Sequence, residues 1–349
     1  MNKVVLLIDS NAEGAAWIRV NLWKKGLDQQ NVKNEIIYFN KVDSDTFLSK
    51  FFYFFYQVIR LILMPKNTSF IGYFPLKGFI LNLLKKKDLI IEQNEFPIHL
   101  RDPSTKFSED YSYHSFASKF ICCSDELLTF FKSSLSDKCK TLKVSTVVEY
   151  AKFSQSDLQS PFLGKKYIVY CGYMGGNKDG VKDLISAFSL FAKTNKSVDL
   201  CLIGSAQTEE IIKFEKQLTE NNISDRVLMT GTLPHKQIPP YLLNAELLVL
   251  ARPNNKQAQG GFPSKLPEYL SSGTPILVTK VGEIPYYIKD GINGYLTDPS
   301  DPVMLSEKFE YILKNYKTAE KVGKRGQILA KNEFDLKIQS ERLISFLKN

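Results

Sequence analysis

Apolar residues fall along this chain in two alternating patterns: short unbroken runs, and longer stretches with an apolar residue every third or fourth position. The first suits strands buried on both faces, the second helices that bury one stripe. Lys3 to Ile8 is such a run, followed by a loop from Asp9 to Ala16 and a helical pattern through Leu22 and Leu27. Glu35 to Phe39 reads as a strand, Phe47 to Met64 as a helix stopped by Pro65, and Ser69 to Tyr73 as a strand. Phe79 to Lys86 follows as a helix and Asp88 to Glu92 as a strand. Phe120 to Cys123 continues the series, with Ser124 or Asp125 as N-cap of the next helix. Strand and helix alternate, which predicts a parallel α/β sheet.

From Phe153 to Gly164 the periodicity is lost and linker residues gather, so a domain boundary is expected there. A second alternation then begins. Its strands are Tyr167 to Cys171, Asp199 to Ile203, Val227 to Thr230, Leu247 to Leu250 and Pro275 to Thr279. Its helices are Lys182 to Lys193, Glu209 to Asn221, Gln237 to Asn244, Ser264 to Ser272 and Pro302 to Asn315. The expected fold is α/β: two doubly wound, Rossmann-like domains facing a cleft, over residues 1–160 and 165–330, with a terminal segment over 331–349.

A length of 349 residues suits two domains, and 44% hydrophobic with 24% charged residues is ordinary for a globular protein. The net charge of +9 raises nucleic acid, phosphate or an anionic membrane as partners. Its distribution argues against a nucleic-acid domain: residues 1–150 hold 20 basic against 16 acidic residues. The exception is Phe47 to Lys87, with seven basic residues, no acidic one, and eleven Phe or Tyr. On a helical wheel Ser49, Lys50, Tyr53, Tyr56, Gln57 and Arg60 form a polar arc opposite a wide apolar face that includes Phe51, Phe52, Phe54, Phe55, Val58 and Ile62. That face suits either the domain core or an anionic membrane surface, the latter favoured by Lys85-Lys-Lys87. Five cysteines without C-x-x-C pairs, and an apolar run too short for a signal peptide before Asp9, point to a reducing cytoplasm.

Candidate chemistry concentrates between Ala251 and Pro275, where a strand end leads through a polar loop into a short helix that stops at Gly273. A helix start offers unpaired N–H groups and a positive dipole end to a diphosphate. Gly260 and Gly261 permit close backbone approach, and Lys265 adds a charge in the first turn. Glu268 lies on the face of Ser264, one turn deeper, where a carboxylate can accept hydrogen bonds from a ribose. An ordinary capped helix with solvated charges fits the same residues.

The run Gly260-Gly-Phe-Pro-Ser-Lys-Leu-Pro-Glu-Tyr-Leu270, with Gly273 and Pro275 after it, resembles the donor-binding motif of family 4 retaining glycosyltransferases, which have the GT-B fold. Val281-Gly-Glu-Ile-Pro285 and Asp290-Gly-Ile-Asn-Gly294 resemble that family's next two turns. Of the family's two Glu residues eight positions apart, the second is Glu268 and the first is replaced by Gly260. Val169 to Phe188 is similar to the family's strand, glycine loop and Lys-Gly helix start. There Lys178 matches the diphosphate-binding Lys, Tyr173 stands where an Arg is usual, and Asp179 is inserted before Gly180. Arg252 is a candidate substitute for the missing cation.

The resemblance implies a donor site built from Gly14, Gly172, Arg252, Gly260, Gly261, Phe262, Pro263, Ser264, Lys265 and Leu266, with Lys178 and Glu268 in the catalytic set. It places Asn94 and Glu95 near the acceptor, Asn94 standing at the family's His position. It makes residues 1–160 the acceptor side, 165–330 the nucleotide-sugar domain, and 331–349 a helix crossing back to the first domain. The implied reaction moves a hexose or related sugar from a nucleoside diphosphate to a hydroxyl, on a glycan or lipid-linked precursor of a bacterial surface polysaccharide, with retention. A GT-B epimerase or phosphorylase, and a non-catalytic nucleotide-sugar-binding partner protein, are the alternatives. Asp43-Ser-Asp45 has the form of a metal clamp but sits as a helix cap, so no metal or other cofactor is expected. The expected partners are a nucleotide-sugar, an acceptor glycan or lipid and an anionic membrane surface, without nucleic acid; the expected place is the inner face of the cell membrane. His235 reads as a turn residue and His99 as outside the pattern.

Overall fold

The computed structural model describes residues 3–10, 15–40, 47–73, 80, 84, 87–101, 105, 111–153, 162, 164–176 and 178–349. Gly14, Asp43, Asp45, Lys85 and Lys86 lie outside them, as do most of the expected linker and of the helix expected from Phe79. The chain divides into two compact units: Met1–Glu149 with Phe334–Asn349, and Tyr150–Glu333.

The first unit carries strands β1 (Lys3–Ser10), β2 (Asn34–Asn40), β3 (Thr68–Gly72), β4 (Asp88–Gln93), β5 (Lys119–Cys122) and β6 (Lys140–Lys143). They form one parallel sheet in the order β2-β1-β3-β4-β5-β6. Helices α1 (Ala15–Gln29), α2 (Phe47–Leu63), α3 (Ile98–Arg101) and α4 (Asp125–Phe131) flank it. Ser124 caps α4 by accepting from the Leu127 amide at 3.1 Å. The edge strand β6 was not expected; its half-buried and exposed Lys-Thr-Leu-Lys has no apolar run to announce it.

On α2 the buried arc is Gln57, Val58 and Leu61, with Tyr53 and Phe54 half-buried. Gln57, placed by the wheel on the polar side, is therefore inside, where it accepts from Arg60 at 2.7 Å. Leu48, Phe51, Phe52, Phe55, Ile59, Ile62 and Leu63 stay exposed. The helix thus buries one residue of the polar arc, Gln57, beside Val58 and Leu61, and leaves much of its apolar surface outward. Arg60 pairs with Glu35 at 2.8 Å. Lys87 donates to the carbonyls of Leu61 and Met64 at 2.9 and 3.0 Å, closing the end of α2. No described helix is long and apolar enough to cross a membrane.

The second unit is a parallel sheet of β7 (Lys166–Cys171), β8 (Val198–Ile203), β9 (Val227–Gly231), β10 (Leu247–Leu250), β11 (Ile276–Thr279) and β12 (Tyr295–Thr297). Its helices are α5 (Val181–Thr194), α6 (Thr208–Glu220), α7 (Ile238–Leu243), α8 (Lys256–Gly260), α9 (Lys265–Ser272), α10 (Ile284–Tyr287), α11 (Pro302–Lys314) and α12 (Tyr316–Leu329). The strand order is β12-β11-β10-β7-β8-β9. The chain builds outward from β7 through β8 and β9, then returns to lay β10 on the other side of β7. That reversal is a topological switch point, and sheets of this kind bind ligands in the crevice beyond the strand ends there.

The last helix, α13 (Leu336–Lys348), belongs to the first unit. Its Leu336, Leu343 and Leu347 share a core with Val20, Trp23 and Leu27. A Cβ on Gly26 of α1 would collide with the Ser340 hydroxyl, so the two helices approach closely there.

Candidate functional site

Both segments singled out in the sequence leave the sheet at the switch point of the second unit. The loop after β7 runs from Gly172 to Gly180, and the segment after β10 runs from Ala251 into α9. They touch: a Cβ on Gly180 would collide with the Ala251 carbonyl, and its φ of +66° disfavours a side chain as well. The loop is pinned by backbone bonds, Gly172 to Ile203 and Met174 to Ser205, both at 2.8 Å. The Gly176 amide also donates to the Glu210 carboxylate at 2.7 Å. Helix α9 is tied to the end of β7 through the buried Tyr269, whose hydroxyl accepts from the Cys171 amide at 2.7 Å.

The electrostatic centre of the crevice is Asp179, the residue read as an insertion. Its side chain is 2% exposed and accepts from Lys265 at 2.6 Å and from the Tyr170 hydroxyl at 3.0 Å. The guanidinium of Arg252, itself 1% exposed, stands 3.7 Å away. Burial alone raises the Asp179 pKa, but Lys265, Arg252 and Lys178 outweigh it and hold the carboxyl below its ordinary value.

Arg252 is accordingly not a surface residue. It donates to the carbonyls of Ala258 and Gly261 at 3.1 and 3.2 Å and braces the segment beneath α9. Asn255 caps α8 by accepting from the Ala258 amide at 2.9 Å, and so residues 256–260, read as loop, are a short helix that includes Gly260. The Gly261 amide donates to Gln257 at 3.3 Å. Phe262 is half-buried with its ring 5.3 Å from that of Tyr287, and Pro263 is buried. Ser264 is exposed and does not cap α9 with its side chain. Leu266 is a core residue whose amide donates to Pro263 at 3.1 Å, which leaves it no free donor for a ligand. The space above Gly172 is filled by the Lys265 side chain; a Cβ there would collide with that chain. Lys178 is half-buried beside Asp179.

Glu268 is half-buried on the first turn of α9. Desolvation raises its pKa, and His235, Lys152 and Lys265 pull it back. His235 lies in a 3-10 turn over His235–Gln237, as its sequence context indicates, yet it also stands close enough to Glu268 to favour its ionised form. Lys152 escaped the sequence reading because it belongs to a separate turn, Tyr150–Phe153, far along the chain. No spacing links it to Glu268.

In the first unit, Asn94 follows β4 and donates to the buried Glu92 carboxylate at 3.0 Å. Glu92 also accepts from Arg19 at 2.8 Å and from the Trp23 indole at 2.9 Å, a buried network at the carboxyl end of the sheet. Glu95 is half-buried, and its carbonyl accepts from Gln93 at 2.8 Å. His99 is half-buried on α3. Among the described residues no group of three or more His, Cys, Asp or Glu is placed to hold a metal.

Two doubly wound parallel sheets, each in its own compact unit, with the last helix returned to the first unit, are the GT-B architecture of glycosyltransferases. The chain belongs to the family Glycosyl transferases group 1, whose model matches residues 154–328. It is 25% identical over 222 residues to a 2-deoxystreptamine N-acetyl-D-glucosaminyltransferase of Niallia circulans, covering 61% of this chain and 55% of that protein. It is 25% identical over 203 residues to a capsular polysaccharide biosynthesis glycosyltransferase of Staphylococcus aureus, covering 56% and 51%. The chain thus spans about half the length of the curated relatives it matches. Its fold is similar to that of Anabaena HepE, solved in complex with UDP and glucose, at a TM-score of 0.74 and 15% identity over 100% of both chains.

Proposed function

We propose that this chain transfers a sugar from a nucleoside diphosphate to a hydroxyl of a glycan or lipid-linked precursor, with retention at the anomeric carbon. The observation that carries the reading is the meeting of the two family-like segments at the switch point of the second unit, where Lys178, Lys265 and Glu268 gather. Leaving-group departure places negative charge on the diphosphate, which positive side chains at its position stabilise most in the transition state. Lys178 and Lys265 take that part, and Glu268 holds the ribose. Arg252 contributes indirectly, by bracing the segment that carries α9. The chemistry is assigned to these side chains without a metal. Retention rests on the resemblance of the Gly260 to Pro275 run to retaining enzymes.

The similarity to a capsular polysaccharide enzyme supports a surface-polysaccharide product, and HepE solved with UDP makes a uridine donor the first to test. The exposed aromatic face of α2 supports peripheral attachment to a membrane that presents the acceptor. Incubation with labelled UDP- and GDP-sugars and a bacterial lipid extract tests the whole reading. Label transferred to lipid or glycan is the expected result. An isomerised or phosphorolysed donor, or binding without turnover, would replace the transferase by one of the alternatives.

A further inference from the structure

Lys265, Arg252 and Lys178 surround a carboxylate that no diphosphate site requires. Asp179 sits behind Lys265, whose side chain is 18% exposed against 2% for Asp179. A ligand entering the crevice therefore meets the lysine first and finds its charge already partly answered. The Tyr170 hydroxyl, itself bonded to the Tyr173 carbonyl at 2.7 Å, fixes the carboxylate in this position. Asp179 is thus a built element of the crevice, buried, oriented and paired.

We propose that Asp179 is a counter-ion that sets how the diphosphate subsite discriminates donor from product, weakening its hold on the free nucleoside diphosphate relative to the nucleotide-sugar. The inference rests on the donor site proposed above. In transfer, the bond from the anomeric carbon to the phosphate oxygen breaks and its electron pair stays on that oxygen. The acceptor hydroxyl passes its proton to the departing phosphate oxygen, and from there to water, as its own oxygen bonds the anomeric carbon. The released nucleoside diphosphate consequently gains an ionisable terminal oxygen with a pKa of about 6, and carries nearly one more negative charge at neutral pH. That extra charge is the one that faces Asp179 across Lys265. Repulsion between them weakens product binding and leaves the donor little affected, because the sugar masks that oxygen in the donor. Asp179 acts through Lys265 and is a positioning residue.

The test measures, by calorimetry on the full chain, the affinities of uridine, guanosine, adenosine and thymidine diphosphates and of their hexose conjugates. For the base that binds, D179N should raise affinity for the diphosphate about tenfold more than for its sugar conjugate, the size expected for a unit charge that faces a buried carboxylate across an intervening cation. Product inhibition in the transfer assay should tighten by the same factor. Y170F, which keeps the charge and loses only the orienting hydrogen bond, should weaken both ligands together and leave their ratio unchanged. An unchanged ratio in D179N, or a shift of the ratio in Y170F as large as that in D179N, overturns the proposal. If D179N does not fold, the wild-type ratio decides: a diphosphate bound more than about tenfold tighter than its sugar conjugate is the behaviour of a site without a counter-ion and also overturns it. Absence of binding of every nucleotide to wild type removes the donor site itself, and this inference with it.

Discussion

The Tyr269 hydroxyl bridges both backbone groups of Cys171, accepting from its amide at 2.7 Å and donating to its carbonyl at 3.3 Å. It joins α9 to the last residue of β7 and so sets Lys265 and Glu268 relative to the Gly172 loop. Tyr269→Phe leaves buried backbone groups unsatisfied, which costs about 1–3 kcal/mol. A lower melting temperature together with a raised donor KM is expected from thermal melts and steady-state kinetics. A raised KM without loss of stability would mean that the hydroxyl touches the donor directly.

Lys178 and Glu268 should fail in different ways. In the proposed site Glu268 holds the ribose, far from the breaking bond, where it would bind ground and transition states alike, so Glu268→Gln should act mainly on donor KM. The same proposal sets Lys178 against charge that grows in the transition state, and Lys178→Ala should lower kcat by about 10²-fold. Kinetics of the two variants, with folding checked by circular dichroism, test the pair. A selective kcat loss at Glu268 would reverse the ribose and phosphate assignments.

Activity should survive excess EDTA. Asp179, the buried acid of the crevice beside Glu268, is engaged by Lys265 at 2.6 Å. Loss of turnover on chelation, restored by Mg²⁺ or Mn²⁺, would return attention to Asp43 and Asp45, which lie outside the described residues.

Burial among Tyr111, Tyr113, Phe120 and Phe131 lowers the His114 pKa from 6.5 to about 4. The unfolded chain takes up this proton first, so the contribution of neutral His114 to stability is complete above about pH 6.5 and is lost as pH falls toward 4. The loss reaches about 3 kcal/mol. Urea unfolding across this range should show that slope, and His114→Leu should flatten it. An unchanged slope in the variant would assign the acid sensitivity elsewhere.

Vesicle binding should depend on aromatic residues more than on salt. Phe51, Phe52 and Phe55 are exposed on α2, whereas Lys87 is engaged with helix carbonyls and Arg60 with Glu35. Burying each ring contributes about 1.5–3 kcal/mol, so replacing all three by Ser should lower partitioning into phosphatidylglycerol vesicles by more than about 100-fold. Flotation assays measure this directly. Equal binding by the triple variant would show that α2 is not the attached face.

Much of the fold is legible because strands such as Tyr167 to Cys171 and Leu247 to Leu250 are short apolar runs buried on both faces, and few other structures produce that pattern. Helix α12 escapes it for a physical reason. Gly323 and Gly326 argue against a helix in sequence, yet a Cβ at either would press on the backbone of Gly273 or Asn293, so both glycines serve close packing. The site was legible only in part. Lys178, Lys265 and Glu268 stand in recognisable patterns, but the burial of Arg252 and its approach to Asp179 depend on strands β7 and β10 lying side by side, a relationship no local spacing encodes. Three cations converging on one acid in the expected loops was the available signal, and Asp179 read alone as an insertion concealed it.

The return of α13 to the first unit has a consequence for synthesis. Leu336, Leu343 and Leu347 complete a core begun by Val4 and Leu6, but the ribosome adds them only after every residue of Tyr150–Glu333. A nascent chain therefore carries its first sheet with an uncovered apolar flank while the second unit already has all the residues it needs. The ordinary order, in which the leading domain folds first during translation, is inverted. A chain interrupted near Glu333 would keep the second unit and lose the first, and chaperones that bind exposed apolar surface would find their target on the first unit after all residues of the second have been made.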